Sequence, residues 1–196
     1  MKGHEGKTLH HCAWAVLLLG AWSKAPESPV AKTNPNPKQR YEITVELVDP
    51  PQDIREISGV AHFGVGTRTC LPYREKIARV TIGASYQKEF PLVRVSDNTY
   101  KGHIFLDWPI DEDYYGLGVC EWRIGTVDAV FTRDRELTQS ALLIGSEVTH
   151  EADTLSYCRR NMRGDQDRFC SIPIDPARVI DLGKSSYQVE MSSRKY

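Results

Sequence analysis

Residues 41–48, YEITVELV, alternate: Tyr41, Ile43, Val45 and Leu47 fall on one side of the chain, and Glu42, Thr44, Glu46 and Val48 on the other. Successive side chains of an extended chain point to opposite faces, so period two with β-branched residues predicts a half-buried strand. Asp49-Pro50-Pro51 ends it. A weaker run predicts a strand over 57–63, where Gly59 marks a bulge or a close backbone approach. Residues 76–83 (KIARVTIG) alternate again, with Ile77, Arg79 and Thr81 opposite Ala78, Val80 and Ile82. Pro91 interrupts 90–95 and makes it an edge or a strand start, and 100–108 is a further strand. The runs 119–124 (VCEWRI) and 126–132 (TVDAVFT) flank Gly125 and predict a hairpin or meander with Cys120, Trp122 and Ile124 on one face. Residues 140–144 and 187–191 complete about nine strands. The helical candidates are a turn or two at 175–182 and at 155–162. Short strands with turn signals between them predict an all-β domain, an antiparallel β-sandwich or partly open barrel.

The N-terminus has a different pattern. Lys2, His4, Lys7, His10 and His11, diluted by Glu5, precede an apolar run over 12–21. A bilayer needs roughly 20 apolar residues, whereas the middle region of an export signal has roughly 7 to 15. Residues 1–25 are therefore expected to be an export signal. Leu19-Gly20-Ala21 is similar to a lipobox, but the position that would carry the acylated cysteine holds Trp22, which has no thiol. Residues 23–39 contain four prolines and few apolar side chains, the composition of an extended, solvated segment. The expected division is a signal over 1–25, a Pro-rich tether over 26–40 and a disulfide-stabilised β-sandwich over 41–196.

Without its first 25 residues the chain keeps four cysteines, Cys70, Cys120, Cys158 and Cys170. An even number in an exported protein is expected to pair in an oxidising compartment. Of three connectivities, Cys158 with Cys170 closes a short loop and Cys70 with Cys120 staples distant strands, and this is the preferred pairing. The spacing has no C-x-x-C pair of the kind a zinc site uses. Trp122 shares a strand face with Cys120, which places its indole beside the bridge. The same 171 residues carry 22 basic and 25 acidic side chains, a balance that argues against nucleic acid as a partner.

Little in the sequence points to catalysis. His62, His103 and His150 fall in separate predicted elements without metal-ligand spacing. A G-x-S-x-G nucleophile elbow is missing from the sequence, and Gly64-Val65-Gly66 is followed by neither a helix nor a lysine. No catalytic residue, cofactor or metal is assigned. The densest chemical cluster is DWPIDEDYY, residues 107–115, with four carboxylates and three aromatic rings. Its oxygens lack the regular spacing of a calcium loop. Trp108, Asp111, Glu112, Asp113, Tyr114 and Tyr115 are the candidate partner-binding residues: the rings offer contact area at low entropic cost, and the acids steer a basic partner. A second cluster, Arg159 to Arg168, holds four arginines and two aspartates inside the expected small disulfide ring. It includes the tripeptide Arg163-Gly164-Asp165, whose match to an integrin-binding motif is treated as chance.

The lipobox-like signal, the Pro/Asn tether, the cystine-bonded strand domain and Tyr114-Tyr115-Gly-Leu-Gly-Val-Cys120-Glu-Trp122 together resemble small bacterial periplasmic lipoproteins. In particular the chain is similar to the immunity proteins that accompany toxic effectors of type VI or type IV secretion. The resemblance implies a non-enzymatic protein of the periplasm, associated with the outer membrane if acylated, that binds an effector lipase or cell-wall hydrolase and covers its cleft. The alternative is a structural or assembly lipoprotein of the envelope. Trp22 departs from the family pattern at the acylated position.

Overall fold

The computed structural model describes residues 26–75, 77–134, 137–162, 164–172 and 185–196. Eleven strands are present among them: β1 (Arg40–Val48), β2 (Ile54–Val65), β3 (Tyr73–Glu75), β4 (Val80–Thr81), β5 (Ser85–Pro91), β6 (Val93–Arg94), β7 (Thr99–Phe105), β8 (Trp122–Arg133), β9 (Thr138–Ile144), β10 (Asp153–Arg159) and β11 (Ser186–Lys195). A single α-helical turn and a half, α1 (Gly145–Thr149), follows β9.

Two sheets face each other. One has the order β10-β11-β1-β7-β6 and the other β5-β2-β8-β9; β3 and β4 form a separate two-stranded ribbon. Every pairing between these strands is antiparallel. The expected β-sandwich is therefore the fold, with sheets that do not close into a barrel. The alternation read in β1 has its physical cause here. Tyr41, Ile43, Val45 and Leu47 are buried between the sheets against Val127, Ala129, Phe131, Val189 and Met191, while Glu42 and Thr44 face outward.

The edges of the sandwich are stitched. On one side the chain runs from β5 through Leu92 directly into β6, leaving the four-stranded sheet and joining the five-stranded one. On the other side residues 168–171 lie between the edge strands β9 and β10. The Ser140 N–H donates to the Arg168 carbonyl and the Cys170 N–H to the Ser140 carbonyl, while Tyr157 and Ser171 exchange both of their backbone bonds. Cys158 and Cys170 are bonded across this seam, and Cys70 and Cys120 form the second disulfide. Beside this seam the buried Arg133 guanidinium forks onto Asp53, with Nη2 at 2.9 Å from each carboxylate oxygen, and Nη1 donates to the Arg159 carbonyl of β10. An arginine this deep needs such a fork, because an unpaired buried charge is costly.

Four expectations change. Residues 76–83 are not one strand: the chain turns after β3, Arg79 adopts a left-handed backbone (φ 53°), and Ile77 is 96% exposed. Alternation there lacks a core to face. The runs on either side of Gly125 are not a hairpin but one strand, β8. The register passes from Phe63 opposite Ile124 to His62 opposite Thr126, leaving Gly125 as a bulge. Such an extra residue flips the phase of the side chains, which is why the sequence reads as two runs. Residues 155–162 are not helical, since β10 pairs with β11 from Asp153 to Arg159. The strand expected over 100–108 ends at Phe105, and residues 106–108 turn. The helix expected at 175–182 lies outside the described residues.

Candidate functional site

The loop from Leu106 to Glu121 joins β7 to β8 at one end of the sandwich. Its first part is folded inward. Trp108 is buried among Phe63, Phe90 and Phe105, with ring centroids 6.4, 6.5 and 5.7 Å away. Asp107 accepts the backbone N–H groups of Lys38 (2.9 Å) and Gln39 (3.0 Å). The segment over 26–40 is thus docked along much of its length. The Asn34 N–H donates to the Trp108 carbonyl (2.7 Å), the Ile110 N–H donates to the Lys32 carbonyl (2.9 Å), and the Thr33 and Tyr86 hydroxyls lie 2.9 Å apart.

The remaining candidates spend most of their polar atoms holding the loop together. Asp111 Oδ1 accepts the Trp122 N–H at 2.7 Å. Glu112 takes the Lys32 ammonium at 2.7 Å, and this bond raises the lysine pKa. The Tyr114 hydroxyl donates to the Ile110 carbonyl at 2.8 Å, and its ring meets the Trp122 ring edge-on. The Tyr115 hydroxyl donates to the Glu27 carbonyl, and partial burial followed by the nearby Glu27 charge raises its pKa. Asp113 stands at the turn. Desolvation pushes its carboxyl upward, but the backbone N–H groups of Gly118, Tyr115, Gly116 and Leu117 outweigh it and hold the pKa below the ordinary value.

What the loop presents outward is a different set of atoms. Gly116 (φ 70°) and Gly118 (φ 106°) take backbone conformations that side chains disfavour. They lift Leu117 and Val119, 51% and 54% exposed, onto the surface between the exposed Asp111, Asp113 and Glu121. Cys120, immediately beyond, is fully buried and bonded to Cys70 in a small second core with Leu71 and Ile82. The candidate partner-binding residues of the sequence end at Tyr115 and do not include Leu117 and Val119. The signal available was Gly116-Leu-Gly-Val119, apolar side chains alternating with the residue best suited to a tight reversal.

Beside the loop lies a cleft of about 580 Å³, walled by Pro109, Ile110 and Trp122 on one side and by Ser146, Thr149 and His150 of the α1 region on the other. Asp111 and Arg123 reach its rim. Trp122 Nε1 is buried with no hydrogen-bond partner among the described residues.

The three histidines of the domain are far apart in role. His62 Nε2 is 3.5 Å from Asp128 on β8. His103 Nε2 is 3.6 Å from Glu42, and desolvation, then the Arg40 charge, lowers its pKa against the opposing pull of Glu42. His150 Nδ1 meets the Ser146 carbonyl at 2.7 Å. Among the described residues no group of three or more His, Cys, Asp or Glu side chains is placed to hold a metal ion. Of the Arg159 to Arg168 cluster, Arg159 pairs with Asp167 (3.2 Å) and Arg160 with Asp49; Arg163 lies outside the described residues.

Compared with protein-family models, curated proteins and solved structures, the chain matches none.

Proposed function

We propose that this chain is an exported binding protein that acts in the bacterial periplasm as an immunity protein, covering the cleft of a secreted antibacterial lipase or cell-wall hydrolase. The observation that carries this reading is the construction of the 111–121 loop. Its ends are fixed by the Asp111 to Trp122 hydrogen bond and by the buried Cys120, and its middle by the Asp113 turn. A loop ordered in advance loses little conformational entropy on binding. Its exposed groups include the apolar side chains of Leu117 and Val119, with the exposed acids Asp111, Asp113 and Glu121 before and after them in the chain, a composition that combines a desolvatable centre with electrostatic steering towards a basic surface. The paired cysteines support the oxidising compartment that the reading requires.

The test is association with the products of the genes beside this one. A 1:1 complex with a toxin, lost in the Leu117→Asp, Val119→Asp double variant, is expected. A chain that inhibits no such product overturns the reading. A complex that survives the double variant moves the contact away from the loop.

A further inference from the structure

The β3–β4 ribbon projects from the small core at the same end of the sandwich. Its base is anchored by the Cys70–Cys120 bond and by the buried Leu71 and Ile82. Beyond the base nearly everything is exposed: Tyr73 (48%), Ile77 at the turn (96%) and Val80 (50%). Residues 67–83 carry three arginines and a lysine against one glutamate, in a chain whose net charge is −1. Glu75 is occupied with the turn, accepting the Ile77 N–H at 3.1 Å. Among the described residues Arg68, Arg74 and Arg79 make no ion pair. Beneath the ribbon runs a trough of about 720 Å³, in which Arg68 and Arg79 stand beside the apolar Val65, Leu71 and Val80.

An apolar tip, a tyrosine behind it and unpaired guanidinium groups around it fit a surface that is anionic at its face and apolar below. A lipid bilayer has that layering, with tyrosine favoured at the headgroup level and arginine able to keep its charge there while its stem lies in apolar surroundings. The course of the chain points the same way. The first described residues reach this end, where Tyr115 of the small core holds the Glu27 carbonyl. In the sequence they continue back into the apolar run over 12–21. The segment expected to be an export signal therefore precedes the domain on the side where the ribbon projects.

We propose that the β3–β4 ribbon is a contact site for an anionic lipid surface, with Ile77 entering the acyl boundary and Arg68, Arg74 and Arg79 pairing headgroup phosphates. It is independent of the inhibitor reading, since the ribbon and the Leu117–Val119 surface are separate side chains with separate tests.

The experiment uses the full chain and a reporter at the tip. Ile77→Trp is mixed with vesicles of phosphatidylcholine alone, or of phosphatidylcholine and phosphatidylglycerol in equal parts, each with brominated acyl chains. Quenching of the added indole, taken as the difference from the unsubstituted chain, is expected in the anionic vesicles only and is reversed by salt. Each arginine near an anionic surface contributes on the order of 1 kcal/mol, so Arg68→Gln, Arg74→Gln and Arg79→Gln together are expected to weaken partition about 100-fold. These side chains are exposed, and an unchanged near-ultraviolet spectrum establishes that the triple variant is folded. Quenching absent from anionic vesicles, equal quenching in neutral ones, undiminished binding of the triple variant, or capture of an acidic protein by a tip that never meets lipid overturns the proposal. Binding driven only by residues 12–21 leaves the tip unquenched and so counts against it.

Discussion

The Phe90 ring covers Gly59. The two are opposite one another in the β2–β5 register, and a β-carbon on Gly59 would come within 2.3 Å of the Phe90 ring. From the other sheet, a β-carbon on Gly102 of β7 would come within 2.9 Å of the same ring and within 2.5 Å of the Pro91 carbonyl oxygen. One aromatic ring thus fills the space left by two glycines at the point where the chain crosses from one sheet to the other.

Because the ring is wedged and the Pro91 carbonyl is backbone, neither neighbour has a cheap way to yield. Overpacking of this kind costs typically about 1–3 kcal/mol. Gly59→Ala and Gly102→Ala are each expected to lower the urea midpoint accordingly, and Phe90→Ala combined with Gly59→Ala to lose much less than the sum of the two single changes.

The two disulfides close loops of different length, 50 and 12 residues apart. Chain entropy alone gives about 4 kcal/mol for the longer and about 3 kcal/mol for the shorter. Their local consequences differ more than their energies. Cys158→Ala with Cys170→Ala releases the 168–171 seam, so the amides of Ser140, Tyr157 and Ser171 are expected to exchange with solvent deuterium far sooner, while the β1 amides stay protected. Cys70→Ala with Cys120→Ala is expected to leave the seam intact and loosen the ribbon and the 111–121 loop. Equal acceleration everywhere in both variants contradicts this division.

Asp128 gives stability an unusual pH dependence. Burial raises its carboxyl pKa, opposed by the Thr126 side-chain bond and the His62 charge, and Oδ1 has no hydrogen-bond partner among the described residues. A raised carboxyl pKa means that the folded state holds the proton more tightly than the unfolded chain. The resulting stabilisation is present in full below the ordinary carboxylate pKa and is lost as pH rises through the raised value. Asp128→Asn cannot ionise. It is expected to be more stable than the parent at pH 7 and indistinguishable from it near pH 3, by thermal melting at both.

The proposed lipobox ancestry turns on position 22. Trp22→Cys places a thiol after Leu19-Gly20-Ala21, and the variant expressed in a bacterial host is expected to incorporate a fatty-acid probe while the parent does not. A variant that stays unlabelled removes the lipobox reading.

Period two across 41–48 was enough to place β1, because a strand with one buried face alternates, and the short runs at 140–144 and 187–191 marked β9 and β11. The preferred cystine pairing also followed from the chain, since a loop of 12 and a staple of 50 residues suit an oxidised sheet protein and both bonds are present. The acidic, aromatic composition of 107–115 was visible as well, and so was its position between two strands.

What that loop does with its side chains belonged to the tertiary structure. Trp108 faces inward, Asp107 is occupied by the backbone N–H groups of Lys38 and Gln39, the hydroxyls of Tyr114 and Tyr115 are consumed by backbone carbonyls, and the outward apolar atoms come from Leu117 and Val119. Composition counts groups, but exposure depends on which of them find partners from segments 80 residues away, as Glu112 finds Lys32. The same holds for the backbone. Gly125 reads as a turn and is a bulge, and 155–159, read as part of a helical turn, belongs to β10, because hydrogen bonds to a neighbouring strand outweigh local preference. Local pattern marked strands such as β1 that face the core but misread 76–83 and 155–159; pairing across the sheets, a long-range choice, decided those and which face of each loop meets solvent.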